Sequence, residues 1–300
     1  MLDNLEILIV APQFAVQLLI AGVLIGAIFA LAAYGMALVW GVMNIINVVQ
    51  GEFVILGGFI ALTAVQVGLN PFLGIPVAFA VLFLIGYAIY KTIIFRIVDR
   101  DLFTSLLATF GLSILLQQLM NEIFGANVRV LETGLGTWFI LDRSVTISQI
   151  MVVAFVIAVL IAVLVTLFMR YSRMGQAIRA TAQNARAARI LGIDTDKVYA
   201  TTYALNAGIC GAAGSLVVMA LTIHPFQGLA YTVRSFTIVV VAGLGNLPGV
   251  IAAAFGLGAA EQFAGFILGA EYQLAFVFLL LVFILVWRSI LLGRQRKALR

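Results

Sequence analysis

The sequence predicts an all-α polytopic membrane protein of about eight to nine transmembrane helices, with its N-terminus outside and its C-terminus cytoplasmic. Three observations carry this. The 300 residues are 64% hydrophobic and 10% charged, with a mean hydropathy of +1.19, beyond what a water-soluble core requires. Apolar runs long enough to cross a hydrocarbon layer of ~30 Å recur from end to end. The runs are continuous rather than alternating, so backbone groups deprived of water must pair within helices and not around a barrel.

Glycines, prolines and charge clusters divide the chain into spans near residues 16–40, 46–67, 75–97, 102–124, 147–169, 198–223, 232–245, 249–267 and 274–292. The seventh is short enough to be re-entrant. The N-terminal stretch "MLDNLEILIVAP" carries Asp3 and Glu6 and lacks the basic region and cleavage site of a secretory signal, so it is expected to be retained. Placing 170–197 in the cytoplasm puts Lys91, Arg96, Arg100 and the tail "RSILLGRQRKALR" on the same side. Only Arg129 and Arg143 then fall outside, in a loop with Glu132 and Asp142. The net charge of +5 thus reflects membrane sidedness and implies no nucleic-acid partner. The single cysteine, Cys210, lies within an apolar run and reads as a small packing residue. Residues 1–300 form one transmembrane domain interrupted by the cytoplasmic loop 170–197. "GEFVILGGFIAL" and "GLGNLPGVIAAAFGLG" echo each other weakly, and helix packing through small residues explains this better than a repeat.

The loop "RYSRMGQAIRATAQNARAARILGIDTDK" gathers six of the seventeen Lys and Arg. Asn184 reads as an N-cap, 185–191 as a helix ~10 Å long, and Gly192 as the glycine that ends it. Asp194 or Thr195 then caps the next span. Arg186, Arg189 and Ile190 project along one side, while Ala187, Ala188 and Leu191 supply small or apolar surface elsewhere. A basic anchor would explain the charge but neither the close-spaced alanines nor the two caps. Small side chains beside arginines suit insertion into a groove on another protein.

Polar groups at bilayer depth should line a pathway or find partners. Asn44, Asn47, Gln50 and Glu52 are read near the cytoplasmic end of the second span, with Asn47 and Gln50 on one helical face. A polar pathway and simple interhelical hydrogen bonding explain them equally well. Gln117, Gln118, Asn121 and Glu122 read as a solvated helix end. Arg234 and Glu261, both placed toward the outside, are expected to pair, in a structural role more than as a vestibule lining. His224, beside Pro225, reads as a loop residue. No metal-ligand spacing, Ser-His-Asp arrangement or GxxxxGK[ST] phosphate loop occurs, so neither a cofactor nor an enzymatic activity of its own is expected.

"GQAIRATAQNARAARILGI" resembles the cytoplasmic coupling motif of ABC-importer permeases of the branched-chain amino acid type. "GAIFALAAYGMALVWGVMNIINVVQGEFVILGGFIAL" is similar to that family's N-terminal signature, and "VVVAGLGNLPGVIAAAFGLGAAEQF" to its late Gly-rich segment. The resemblance covers essentially the whole chain and looks like the shorter of the two permeases of such a system. It implies a translocation subunit of the bacterial-type cytoplasmic membrane, paired with a second permease. Two cytoplasmic ATPase subunits would bind the ATP, and an extracytoplasmic binding protein would deliver leucine, isoleucine or valine. It further implies that Arg179, Asn184, Arg186, Ala187, Ala188, Arg189, Leu191 and Gly192 contact the ATPase. The pathway candidates are Asn44, Asn47, Gln50, Glu52, Arg234 and Glu261. A related urea or amide importer is one alternative. A stand-alone secondary transporter is another, and would need an acidic midplane site. Glu52 and Glu261 are placed toward opposite faces.

Overall fold

The order of apolar runs and breaks in the sequence is also the order of helices in the computed structural model, which describes all residues except 1–3, 5, 7, 9, 99, 141–144, 244, 245, 299 and 300. The elements are α1 (Pro12–Met43), α2 (Gln50–Gln66), α3 (Gly74–Thr92), α4 (Leu102–Phe124), β1 (Thr137–Ile140), β2 (Val145–Ser148), α5 (Gln149–Tyr171), α6 (Arg173–Gln183), α7 (Ala185–Ile190), α8 (Thr195–Ala220), α9 (Gly228–Ala242), α10 (Leu247–Leu268) and α11 (Gln273–Ala298). Asp3, Asp142 and Arg143 lie outside the described residues, as do the side chains of residues 291–300 in the basic tail.

Among the described residues, seven helices are long and apolar enough to cross a membrane. The expected second and seventh spans are instead short helices, of 17 residues for α2 and 15 for α9. The second span was expected to be helical from residue 46, but Asn44 ends α1 in the left-handed region (φ 51°) and residues 44–49 leave the helix. Asparagine tolerates that conformation better than most residues.

The central helix is α8, whose most apolar window is 94% buried, whereas that of α11 is 6% buried and those of α4 and α5 are 22%. Glycine and alanine explain the contrast, because small residues let backbones approach without hydrocarbon-driven attraction. A Cβ on Gly214 would stand 1.8 Å from the Val54 carbonyl, and one on Gly211 2.6 Å from the Ala78 carbonyl. Packing through small residues was the expected reading of "GEFVILGGFIAL", and Gly57 and Gly58 of that segment do meet Gly211 and Gly214.

An architectural repeat is also present. A long helix, a non-helical break, a short helix and two further helices occur once as α1–α4 and again as α8–α11. The partners correspond: α1 packs most extensively on α10, α8 on α3, and α1 crosses α8. The repeat pairs α2 with α9, not with the later glycine-rich segment that echoes α2 in sequence.

In the connection before α5, β1 and β2 pair antiparallel. The earlier part of the connection lies over the end of α8, where Arg129 bridges Ile223 and the Leu131 amide donates to the Val218 carbonyl at 2.9 Å. The opposite end of the bundle carries α6 and α7. Trp40, Asn44, Val98, Thr181, Asn184 and Tyr199 gather there around a cavity of about 430 Å3.

Candidate functional site

The break after α1 would be intolerable in lipid without partners for its backbone. Two threonines supply them. Thr109 of α4 donates to the Ile46 carbonyl at 2.9 Å and accepts from the Val48 amide at 3.3 Å. Thr232 of α9 donates to the Val48 carbonyl at 3.0 Å and accepts from the Gly51 amide at 2.9 Å. The released chain returns into the bundle. Gln50 Nε2 donates to the Ala32 carbonyl and to Cys210 Sγ at 2.6 and 2.9 Å, midway along α1 and α8. Asn47 Nδ2 donates to Gln50 Oε1 at 3.3 Å, and Tyr203 donates to Asn47 Oδ1 at 3.3 Å.

This corrects the placement of three of the first four pathway candidates, Asn47, Gln50 and Glu52. Asn44 alone sits at the end of α1, lining the cavity beneath α7. Asn47 meets Gln50 without sharing a helix with it. Gln50 and Glu52 lie at mid-bundle depth and not at its end, because the non-helical residues 44–49 turn back into the bundle, where Gln50 reaches the Ala32 carbonyl. Glu52, 1% exposed, accepts from Ser113 Oγ at 3.1 Å, while its Oε2 is buried without a partner. Its carboxyl abuts Gly228, where any Cβ would come within 2.4 Å of it. The starts of α2 and α9 therefore face each other in the middle of the protein, with Glu52 between them. The sequence reading missed Thr109, Ser113 and Thr232, and it took Cys210 as packing alone. Hydroxyls spaced along an apolar span were the available signal, but their partners are fixed only by the packing.

Arg234 and Glu261 do meet. Arg234 Nε donates to both carboxylate oxygens at 3.0 and 2.9 Å, and Nη2 contacts Oε1. The guanidinium carbon lies 5.1 Å from the Phe29 ring centre and 5.5 Å from that of Tyr231, so aromatic faces supplement the ion pair. Side-chain exposures of 13% and 5% mean that neither charge would tolerate loss of the other. The pair borders a cavity of about 200 Å3 whose wall also includes Gln227, Gln262, Gln273 and Thr222.

At the other end, the local capping signals operate as expected. Asn184 Oδ1 accepts from the Ala187 amide at 2.9 Å, and Gly192 adopts φ +86°. The Gly192 amide donates to the Arg189 carbonyl and the Ile193 amide to the Ala188 carbonyl, the paired bonds of a Schellman C-cap. Asp194 caps α8 through the Lys197 amide at 3.0 Å. The loop holds a second helix that the sequence reading passed over: Ser172 caps α6 through the Gly175 amide at 2.8 Å, and Gly175, Ile178 and Thr181 form its buried side.

Three of the residues expected to contact a partner also make contacts within the chain. Arg179 donates to the Met169 and Arg170 carbonyls, closing the C-terminus of α5. Arg189 is tied to Thr195 Oγ1 at 3.0 and 2.7 Å. Ala188, 2% exposed, faces the bundle. What the α7 unit presents to solvent is Arg186, Ala187, Arg189, Ile190 and Leu191, the last two 80% and 81% exposed.

Broken helices that carry polar groups to mid-depth, held between long apolar ones, are the arrangement that movement of a solute across a bilayer calls for. They place this protein among the multi-pass membrane permeases. The chain belongs to the family described as branched-chain amino acid transport system, permease component, whose profile matches residues 18–285. It is 30% identical over 293 residues to the high-affinity branched-chain amino acid transport system permease protein BraD of Pseudomonas aeruginosa, covering 93% of this chain and 95% of that one. Identity to LivH of Escherichia coli is 28% over 94% and 96% of the two chains, and to the probable LivH of Methanocaldococcus jannaschii 26% over 83% and 81%. Among solved structures, PsaBC from Streptococcus pneumoniae in complex with Fab matches at a TM-score of 0.49 and 13% identity over 95% of each chain.

Proposed function

We propose that this chain is the translocation subunit of an ABC importer that carries leucine, isoleucine or valine inward across the cytoplasmic membrane. It pairs with a second permease and receives substrate from an extracytoplasmic binding protein. Two ATPase subunits dock at the end bearing α6 and α7, which is the cytoplasmic one. Family membership supports the substrate class. The observation that carries the coupling role is α7, a helix capped at both ends that holds Arg186, Ile190 and Leu191 out in solvent. Rigid caps make such a helix a lever, since force applied to it is not lost in unwinding. Ala185 and Asn184 share a cavity wall with Asn44, so displacement of α7 reaches the break at 44–49 and, through it, the mid-bundle junction of α2 and α9. Alternating access then consists of re-packing the two short helices against the long ones.

The test is paired measurement of leucine uptake and ATPase co-purification. Arg186→Glu sets a carboxylate where a guanidinium meets its partner, and Leu191→Asp removes an apolar anchor, each costing the interface about 2 kcal/mol or more. Both variants should insert normally yet lose uptake and bound ATPase together. Normal uptake with ATPase retained by both would overturn the coupling assignment.

A further inference from the structure

We propose that the cavity beside Arg234 and Glu261 is a binding site for a single aliphatic α-amino acid, recognised as a zwitterion. The proposal rests on the importer reading and adds to it a place within this chain where the cargo is read. Arg234 commits Nε and Nη2 to Glu261, which leaves Nη1 for the carboxylate of a ligand. Gln227 lines the same cavity, and its Oε1 is buried with no hydrogen-bond partner. A buried acceptor without a donor is uncommon, and an ammonium group supplies one. Ile25, Phe29 and Leu221 form the apolar part of a wall that also carries Thr222, Gln262 and Gln273, and that part suits a branched aliphatic side chain.

Size and charge agree with this ligand. A volume of about 200 Å3 lies below the roughly 300–1,000 Å3 of drug-sized pockets, so it admits one small amino acid and not a peptide. The ion pair makes the cavity neutral overall while keeping both signs at its wall, which matches a zwitterion better than a molecule of either net charge. Access is available at Thr222, which is exposed and sits in the non-helical break between α8 and α9. That break lies at the end opposite α7, where a binding protein would deliver its cargo.

The experiment uses the assembled transporter in native membrane vesicles carrying Thr222→Cys. Cys210, the chain's own cysteine, is 0% exposed and contributes little background. The rate of alkylation by a cationic methanethiosulfonate is measured with leucine, with valine, with 4-methylpentanoate, which lacks the ammonium, and with isoamylamine, which lacks the carboxylate. Leucine and valine should slow labelling, and the two half-ligands at the same concentration should not. Gln227→Leu, which keeps the ion pair intact, should raise the leucine concentration for half-protection about tenfold, the worth of one charge-assisted hydrogen bond. Gln227→Glu, which keeps an acceptor oxygen there, should restore protection, and a role confined to packing would not give this pattern. ATP-driven leucine uptake by the same vesicles separates the two readings. Uptake without protection, or protection indifferent to Gln227, overturns the site and leaves the importer. Protection without uptake retains the zwitterion site and overturns the importer.

Discussion

Thr232 joins two backbone groups that lipid and protein would otherwise leave bare, the Val48 carbonyl and the Gly51 amide. Thr232→Val keeps the shape and removes both bonds, each loss costing about 1–3 kcal/mol in a buried setting. Thr237 provides the control, because its hydroxyl, also buried, only bonds back to the Val233 carbonyl of its own helix at 2.8 Å. Thermal unfolding in detergent should show Thr232→Val melting well below Thr237→Val; equal midpoints would mean that the break needs no such bridge. Gly51 and Gly41 form a second contrast. A Cβ on Gly51 would lie 1.7 Å from the Gly228 carbonyl, while one on Gly41 meets nothing within 4 Å. Gly51→Ala should therefore lose folded yield, at a cost of about 1–3 kcal/mol or more from forced backbone separation. Gly41→Ala, inside α1, should gain about 0.5–1 kcal/mol from restricting the unfolded chain. None of these distinctions is visible in a run of glycines and threonines, since each depends on which backbone stands opposite.

Capping, by contrast, acts within a few residues, and the α7 unit was legible for that reason: Asn184, Gly192 and Asp194 serve as their spacing implied. The same stretch concealed the uses of Arg179, Ala188 and Arg189, whose partners are the end of α5, the bundle and Thr195. Arginine at a helix C-terminus stabilises the last carbonyls by roughly 0.3–1 kcal/mol, so Arg179→Ala should fray the last turn of α5. Hydrogen exchange in residues 166–171 should rise severalfold while α7 stays protected. Unchanged exchange would mean that Arg179 does not hold the end of α5. Gly192→Val should act on α7 itself, because a β-branched residue is strained at φ +86°. Its uptake defect should follow loss of bound ATPase rather than loss of the folded bundle.

For the whole molecule, orientation is the property most open to direct measurement. Leu191 is 81% exposed and Glu132 is also exposed, at opposite ends of the bundle. With the α7 end cytoplasmic, a cysteine at 132 should be alkylated by an impermeant maleimide on intact cells and a cysteine at 191 only after permeabilisation; the reverse pattern would invert the protein. Residue 195 would serve poorly as a probe, because Thr195 is 2% exposed and bonded to Arg189. The sequence by itself determined the solvent, the helical class, the order of the spans and the caps of α7. Hydropathy and local hydrogen bonding are properties of contiguous residues, and lipid leaves a spanning backbone few alternatives. Only the tertiary structure decided that the second span is broken, that α2 and α9 meet end to end around Glu52, and that Arg234 and Glu261 flank a cavity with Gln227. Those outcomes turn on residues brought together from distant parts of the chain, such as Thr109 beside Ile46 and Thr232 beside Val48. A break that is costly in isolation becomes stable only once such partners arrive.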